Sequence, residues 1–484
     1  MRSRHAVLVA LLVALAGCSA GYVGDTSSGD AATPDATAGT PADGQATAPP
    51  DPETDTLGWE GGYWANETLS IDRSDGLNET ERDAVVARSM ARVERVRQLE
   101  FTEEVPVELV SRGEYRNDTG GYERGAAFRA FDNAKFEALF LIGEDTDSLA
   151  VQSANRGSSV AGFYVPGERR IVVIYSGDTP DLPGEATLSH ELTHALQDQH
   201  FDLTSITAST REESNANNGL IEGDANLVRD RYMANCGDGW ACLSPPESGS
   251  DGGGGDFHLG IYILNFFPYS DGPGFVDYYQ QRGGWEQVNA MYSEPPASTE
   301  QVITPAKYAV DPDPPTTVRI GDAATNGWER VRPERRDDAA SLGQSAIVAM
   351  FAYTLYDDYD TERSVVRRDA FLNLQDGEVD RSDPFDYGID YADGWDGDRM
   401  HVYRKDGETA YVWKITWDSP DEASEFATGY RALLDHWGAT EVRDGVYRID
   451  DGPYADSLRL IVDGDTVTIV NAPSTAALDD VYGR

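Results

Sequence analysis

His190-Glu191-Leu192-Thr193-His194 is the stretch that decides how this chain is read, and it uses two of the seven histidines in 484 residues. On a helix, four residues advance about 400°, so both imidazoles leave the same face one turn apart. Two neutral ring nitrogens then reach a single zinc ion, with the Glu191 carboxylate beside them as a general base. The flanks suit a buried helix. From 184 to 201 there is no Pro and no internal Gly, and Leu188, Leu192, Ala195 and Leu196 fall at helical spacing. Upstream, 159–165 and 170–175 read as two strands joined by Pro166-Gly167-Glu168. The competing reading is an amphipathic helix whose histidines happen to fall at i and i+4.

A hairpin leading into an H-E-x-x-H helix resembles the layout of zinc metallopeptidases of the zincin group. The resemblance is strong over the motif and looser over about residues 100–300. It implies an α+β fold, a mainly helical zincin-like domain with a small mixed or antiparallel sheet whose edge strand holds a peptide above the metal. It also implies one zinc ion with three protein ligands and a fourth position open to water. His190 and His194 are two of the ligands, and two candidates compete for the third.

His200 lies ten residues after His190, the spacing of the metzincin motif, but Gln197 stands where that motif needs its helix-ending glycine. On a continuing helix His200 would sit about 15 Å along the axis from His190. It is therefore assigned a supporting or structural role. Resemblance to the gluzincin branch, in which a second helix supplies a glutamate, points instead to Glu222. The stretch 219–233 is helix-compatible, and Gly223 would let the two helices approach closely. That branch places an aspartate four residues beyond the glutamate to orient a ligating histidine. This chain has Asn226 there and Asp224 nearer, so either is a candidate. Tyr164, Tyr232, His258 and His401 are candidate donors to a developing oxyanion.

The chemistry implied is peptide hydrolysis. Zinc lowers the pKa of bound water to about 7, Glu191 takes its proton, and the leaving amine later receives it. A non-catalytic zincin-fold protein serving the cell envelope is the rival reading. A solute-binding lipoprotein is a third, and it leaves the H-E-x-x-H helix unexplained. Phosphate-cradling loops and serine or cysteine triads are not evident.

The N-terminus indicates where the protein works. Arg2 and Arg4 precede an apolar run too short to span a bilayer, followed by Leu15-Ala16-Gly17-Cys18. That ending resembles a lipobox, which implies a signal peptide over 1–18 and a lipid on Cys18 at the extracellular face of the membrane. Cys236 and Cys242 then remain, an even pair closing a short turn outside the cell, and are read as a disulfide. Asn66, Asn78 and Asn117 begin N-x-S/T sequons, compatible with glycosylation. The 85 acidic residues outnumber 39 basic ones, only four of them lysine, for a net charge of −46. Molar salt shortens the Debye length to about 3 Å and suppresses the self-repulsion. This balance resembles the proteins of extremely halophilic archaea and excludes nucleic acid as a partner. The partners expected are a peptide or protein substrate and, through Cys18, the membrane.

Residues 19–57 are rich in Ala, Thr, Asp, Pro and Gly and cannot bury enough surface to fold. The metallopeptidase-like domain is expected over 58–385, with helices at 79–100, 127–141, 257–267, 274–282, 285–292 and 342–356. Ser298 reads as a helix cap. A small α+β domain is expected over 386–484, an antiparallel sheet with helices on one face, joined at 384–397.

Overall fold

In a computed structural model of the chain, the described residues run from 50 to 483, apart from 72, 74–75, 119–124, 176–179, 238, 246–256, 335, 358–363, 376 and 381–382. The expected signal peptide, Cys18 and nearly all of the 19–57 segment lie outside them. The fold is mixed helix and sheet, consistent with α+β.

The first half is built from helix α1 (Glu79–Arg97), strand β1 (Val107–Ser111), helices α2 (Ala126–Ala138) and α3 (Ser148–Ser159), and strands β2 (Gly162–Val165) and β3 (Arg170–Tyr175). Helix α4 (Glu185–Phe201) carries the histidine motif and α5 (Arg211–Ala234) carries Glu222. The three strands form a mixed sheet in the order β1-β3-β2, with β1 parallel to β3 and β2 antiparallel to it. A parallel pair needs a long crossover, which α2 and α3 supply. Helix α3 takes up Ser159, where the hairpin was expected to begin. Strand β2 is left at an edge.

Helix α4 is the centre of this half, buried almost continuously from Thr187 to Asp198. The buried charge in its first turn is matched by partners. Glu185 in the first turn receives Arg88 and Arg92 from α1, each at 2.6 Å, together with the Leu243 N–H at 2.7 Å and the Tyr232 hydroxyl. Full pairing of this kind is what lets a charge stay inside a protein. At the other end Asp202 turns left-handed (φ 51°), and Asp198 caps it by accepting from Leu203 N–H at 2.9 Å.

Helix α6 (Leu259–Met291) follows α5, with non-helical backbone at Gly284. Three separate helices were expected here, and the break expected between 282 and 285 is present at Gly284, where two helices meet at a kink. Pro268 and Pro273 stay inside one continuous helix, because Phe267, Pro268, Gly272 and Phe275 are buried and packing outweighs the lost hydrogen bonds. Helix α7 (Thr299–Ile303) is capped by Ser298, which accepts from Gln301 N–H at 3.2 Å.

Short strands β4 (Glu329–Arg330) and β5 (Ala339–Ala340) flank the approach to α8 (Gln344–Tyr353), which is apolar all round and buried against α6 and α7. Then come β6 (Trp395–Lys405), β7 (Glu408–Trp417), helix α9 (Pro420–His436), and β8 (Thr440–Arg443), β9 (Val446–Arg448), β10 (Ser457–Asp463) and β11 (Thr466–Ala472). They form one antiparallel sheet, β8-β9-β10-β11-β7-β6-β4, with β5 also pairing with β6. Alternation along β7 sends Tyr411, Trp413 and Ile415 into the main core shared with α9. Ala410 and Val412 point the other way, into a small cluster closed by Trp328, Leu478 and Val481. Both faces are thus covered, where one was expected.

The expected junction at 384–397 is not an exposed linker. Phe385, Tyr387 and Ile389 are buried in the same core as the helices around α4. Phe140, just after α2, packs its ring 5.0 Å from Tyr454 and 6.0 Å from Trp437. No helix among the described residues is long and apolar enough to cross a membrane.

Candidate metal centre

Four residues of spacing on α4 bring His190 Nε2 and His194 Nε2 to 3.1 Å from each other. Helix α5 crosses α4 so that Glu222 Oε2 lies 3.2 Å from the first and 3.3 Å from the second. All three ligand atoms are in or at the edge of the buried interior. Two donors each about 2.1 Å from a tetrahedral zinc ion lie about 3.4 Å apart, so this triangle has the size that zinc requires. The donor set, two imidazoles and one carboxylate, is also one that zinc accepts. The residues present fit the ion.

The electrostatics are those of a tight cluster. Burial opposes a charge on His194, but the Glu222 carboxylate beside it prevails and lifts the imidazole to about 9. Burial would likewise raise Glu222, yet His194 and His190 hold it well below the usual carboxylate range. A metal ion would take over the role of these shared protons, since ligating histidines must be neutral. Burial raises the Glu191 carboxyl, offset in part by the two histidines and by a hydrogen bond from the Tyr164 backbone. That bond ties Glu191 to edge strand β2. A Cβ built on Gly162 of the same strand would stand 3.8 Å from Glu191 Cγ.

The supporting residues differ from those expected. Asp224 orients no histidine: it is buried against Arg97 Nε at 2.8 Å and accepts the Tyr292 hydroxyl at 2.7 Å. Two residues past Glu222, a helical side chain points about 200° away from it, toward α1. Asn226 is buried, and its Oδ1 finds no hydrogen-bond partner among the described residues. His200 is at the exposed end of α4, where its Nε2 meets the Glu100 carbonyl at 2.7 Å.

Gln197 performs the orienting role for His194. Its Oε1 accepts from His194 Nδ1 at 2.9 Å, and its Nε2 donates to the Ile221 carbonyl at 3.0 Å, beside Glu222. Sequence reasoning weighed Gln197 only as a missing glycine. Its position three residues after His194, on the same helical face, was the available signal. Tyr269 of α6 was also missed: its ring stacks on His190 with centroids 6.2 Å apart.

The four candidate oxyanion donors have structural roles. Tyr164 donates to Asp198 at 2.8 Å, and Tyr232 to Glu185. His258 caps α6, and His401 lies in the C-terminal sheet beside Arg399. Cys236 and Cys242 are joined by a disulfide. Asn66 is exposed, whereas Asn78 accepts from Glu81 N–H as the cap of α1. The side chain of Asn117 lies outside the described residues.

Residues 329–482, about a third of the chain, match a family described as a domain of unknown function, DUF8575. The match begins well before residue 386 and takes in β4, β5 and α8 with the C-terminal sheet. No curated protein and no solved structure matches the chain.

Proposed function

We propose that this protein is a zinc-dependent peptide hydrolase, carried on the outer face of the cell membrane by a lipid on Cys18 and adapted to high salt. The observation that carries the reading is the convergence of His190, His194 and Glu222 on one point, with Glu191 held under an edge strand.

His190, His194 and Glu222 would hold the ion, and Gln197 keeps the His194 ring in position. Zinc, when bound, supplies Lewis acidity and a water whose pKa is lowered to about 7. Glu191 is the proton acceptor for that water and hands the proton to the leaving amine. Its burial raises the carboxyl, the direction a base working near neutral pH needs. Among the described residues strand β2 has an unpaired edge, and an extended peptide adding to it as a further strand would bring its backbone over Glu191.

The experiment is zinc content and hydrolysis of an unstructured protein such as casein, both in molar salt. Wild type, Glu222→Ala and Glu191→Gln are compared. The expected result is about one zinc per chain in wild type and Glu191→Gln, weakened in Glu222→Ala, with hydrolysis in wild type alone. A wild type that takes up no zinc overturns the reading. Zinc with no hydrolysis in any of the three leaves a surface protein that keeps the site without turnover.

A further inference from the structure

In a chain with 85 acidic residues against 39 basic ones, one face of the C-terminal sheet gathers cations. Side chains alternate along β6, so Arg399, His401 and Tyr403 share a face, and Arg330 of β4 joins them by pairing directly with Tyr403. Arg319, Arg330, Arg399 and His401 line an open cleft of about 380 Å³, together with Val318 and Ile320. The lining carboxylate is Asp338, which is already held by Arg330 and by Arg332, each at 3.1 Å. Arg319 and Arg399 have no carboxylate partner among the described residues.

His401 shows that a partner of one particular kind is missing. It is 4% exposed, and its bond to Arg399 uses only one of the two ring nitrogens. Arg399 Nε donates to His401 Nε2 at 3.2 Å, so that nitrogen accepts and the proton of the neutral ring sits on Nδ1. Burial, then Arg330 and Arg399, hold the imidazole down to about 3, so the ring stays neutral. The buried Nδ1–H finds no acceptor among the described residues. Buried donors are costly to leave unmet. A water would satisfy the ring but not the two unpaired guanidiniums beside it, whereas a negative charge satisfies all three.

We propose that this cleft binds a tetrahedral oxyanion, a sulfate or phosphate group, between Arg319, Arg330, Arg399 and His401. Guanidinium forks match such groups in shape, and their charge-assisted hydrogen bonds are the strong ones. Three guanidiniums and one ring N–H arrive from the segment before β4, from β4 and from β6, and four oxygens can answer them together. A carboxylate offers two oxygens and chloride a single atom. Arg330 also borders a second cleft, of about 630 Å³, where Arg332, Arg404 and Lys405 face Glu329 and Asp406. That space can take the rest of a larger molecule carrying the group. Apart from Arg319, the proposed ligands of the oxyanion lie within the family-matched stretch 329–482.

The purified full chain, in molar KCl so that chloride is a constant competitor, is dialysed against labelled inorganic phosphate, inorganic sulfate and glucose 6-phosphate. The ring nitrogens of His401 are followed by NMR and assigned through His401→Gln. Expected are about one saturable oxyanion per chain and a shift of the His401 Nδ1 resonance on binding. Arg319→Gln and Arg399→Gln are each expected to weaken binding about tenfold or more. Arg319 is exposed, so its replacement leaves the fold intact. Tighter binding of glucose 6-phosphate than of phosphate assigns the group to a larger molecule that enters the second cleft. Equal or weaker binding assigns it to the free ion, and both results support the site. No saturable binding of any of the three, binding unchanged in either arginine variant, or a His401 Nδ1 signal that does not move would each overturn the proposal.

Discussion

Gly223 and Gly272 meet backbone to backbone: a Cβ on Gly223 would stand 2.3 Å from the Gly272 carbonyl oxygen. The partner of this close approach is α6, not the histidine helix that the sequence suggested. The contact fixes the height of α5 next to the residue that supplies Glu222. Gly223→Ala forces backbone apart, with an expected cost of about 1–3 kcal/mol and a weakened hold on zinc. Gly274→Ala, on α6 two residues past Gly272 and with open space around it, is the control and leaves both unchanged. Urea unfolding and zinc competition with a chelator read the two quantities.

Gln197 links His194 to the chain next to Glu222, so its loss acts on affinity before fold. Gln197→Met keeps the length and removes both hydrogen bonds. Zinc affinity is expected to fall about 10–100-fold, as for other groups that orient a ligating histidine. An unchanged zinc Kd would assign Gln197 to packing alone.

A buried carboxyl pair sets the pH response. Burial raises Glu60 to about 7 and Glu94 to about 9. Glu94 also accepts the Gly58 and Phe101 N–H groups, each at 2.8 Å. The folded state therefore binds more protons than the unfolded one. The stabilisation is fully present below the unfolded value of 4.5 and is lost as the pH rises through about 7 and about 9. Glu60→Gln imitates the protonated partner, so its stability is expected to fall less between mildly acid and alkaline pH. Denaturant midpoints for both proteins at constant salt measure the slope.

The Cys236–Cys242 disulfide closes a short loop, and the chain beside it steadies α4 through the Leu243 N–H on Glu185. Replacing both cysteines by serine is expected to cost about 2 kcal/mol, the loop-closure value for so short a ring. Zinc content is expected to stay the same, because no ligand lies in the loop. Loss of zinc together with the disulfide would mean that the loop holds α4 in register.

The local elements of the centre were legible because helical spacing is itself a geometric statement. His190 and His194 four apart, and apolar residues at 188, 192, 195 and 196, dictate a buried helix with both rings on one face. The crossing of α5 over α4 was reached only through family resemblance, since nothing in the chain near Glu222 says which helix it will meet. Asp224 shows the limit clearly: its partner Arg97 lies 127 residues away. Helix α6 escaped for a related reason. Pro268 and Pro273 carry strong local signals for a break, and only packing against α5, invisible in one dimension, overrides them. The C-terminal strands read well because β7 alternates its aromatic residues cleanly. The depth of 385–389 did not, as Asp and Gly around it imitate a linker.

The aromatic seam around Phe140 has a genetic consequence. This ring precedes the family-matched region, yet it is seated among Tyr430, Trp437 and Tyr454, which belong to that region. Recombination that exchanged residues 329–482 alone would part these side chains from the surface they are fitted to. Substitutions at position 140 should therefore be inherited together with changes at 430, 437 or 454, and the two segments should share one evolutionary history.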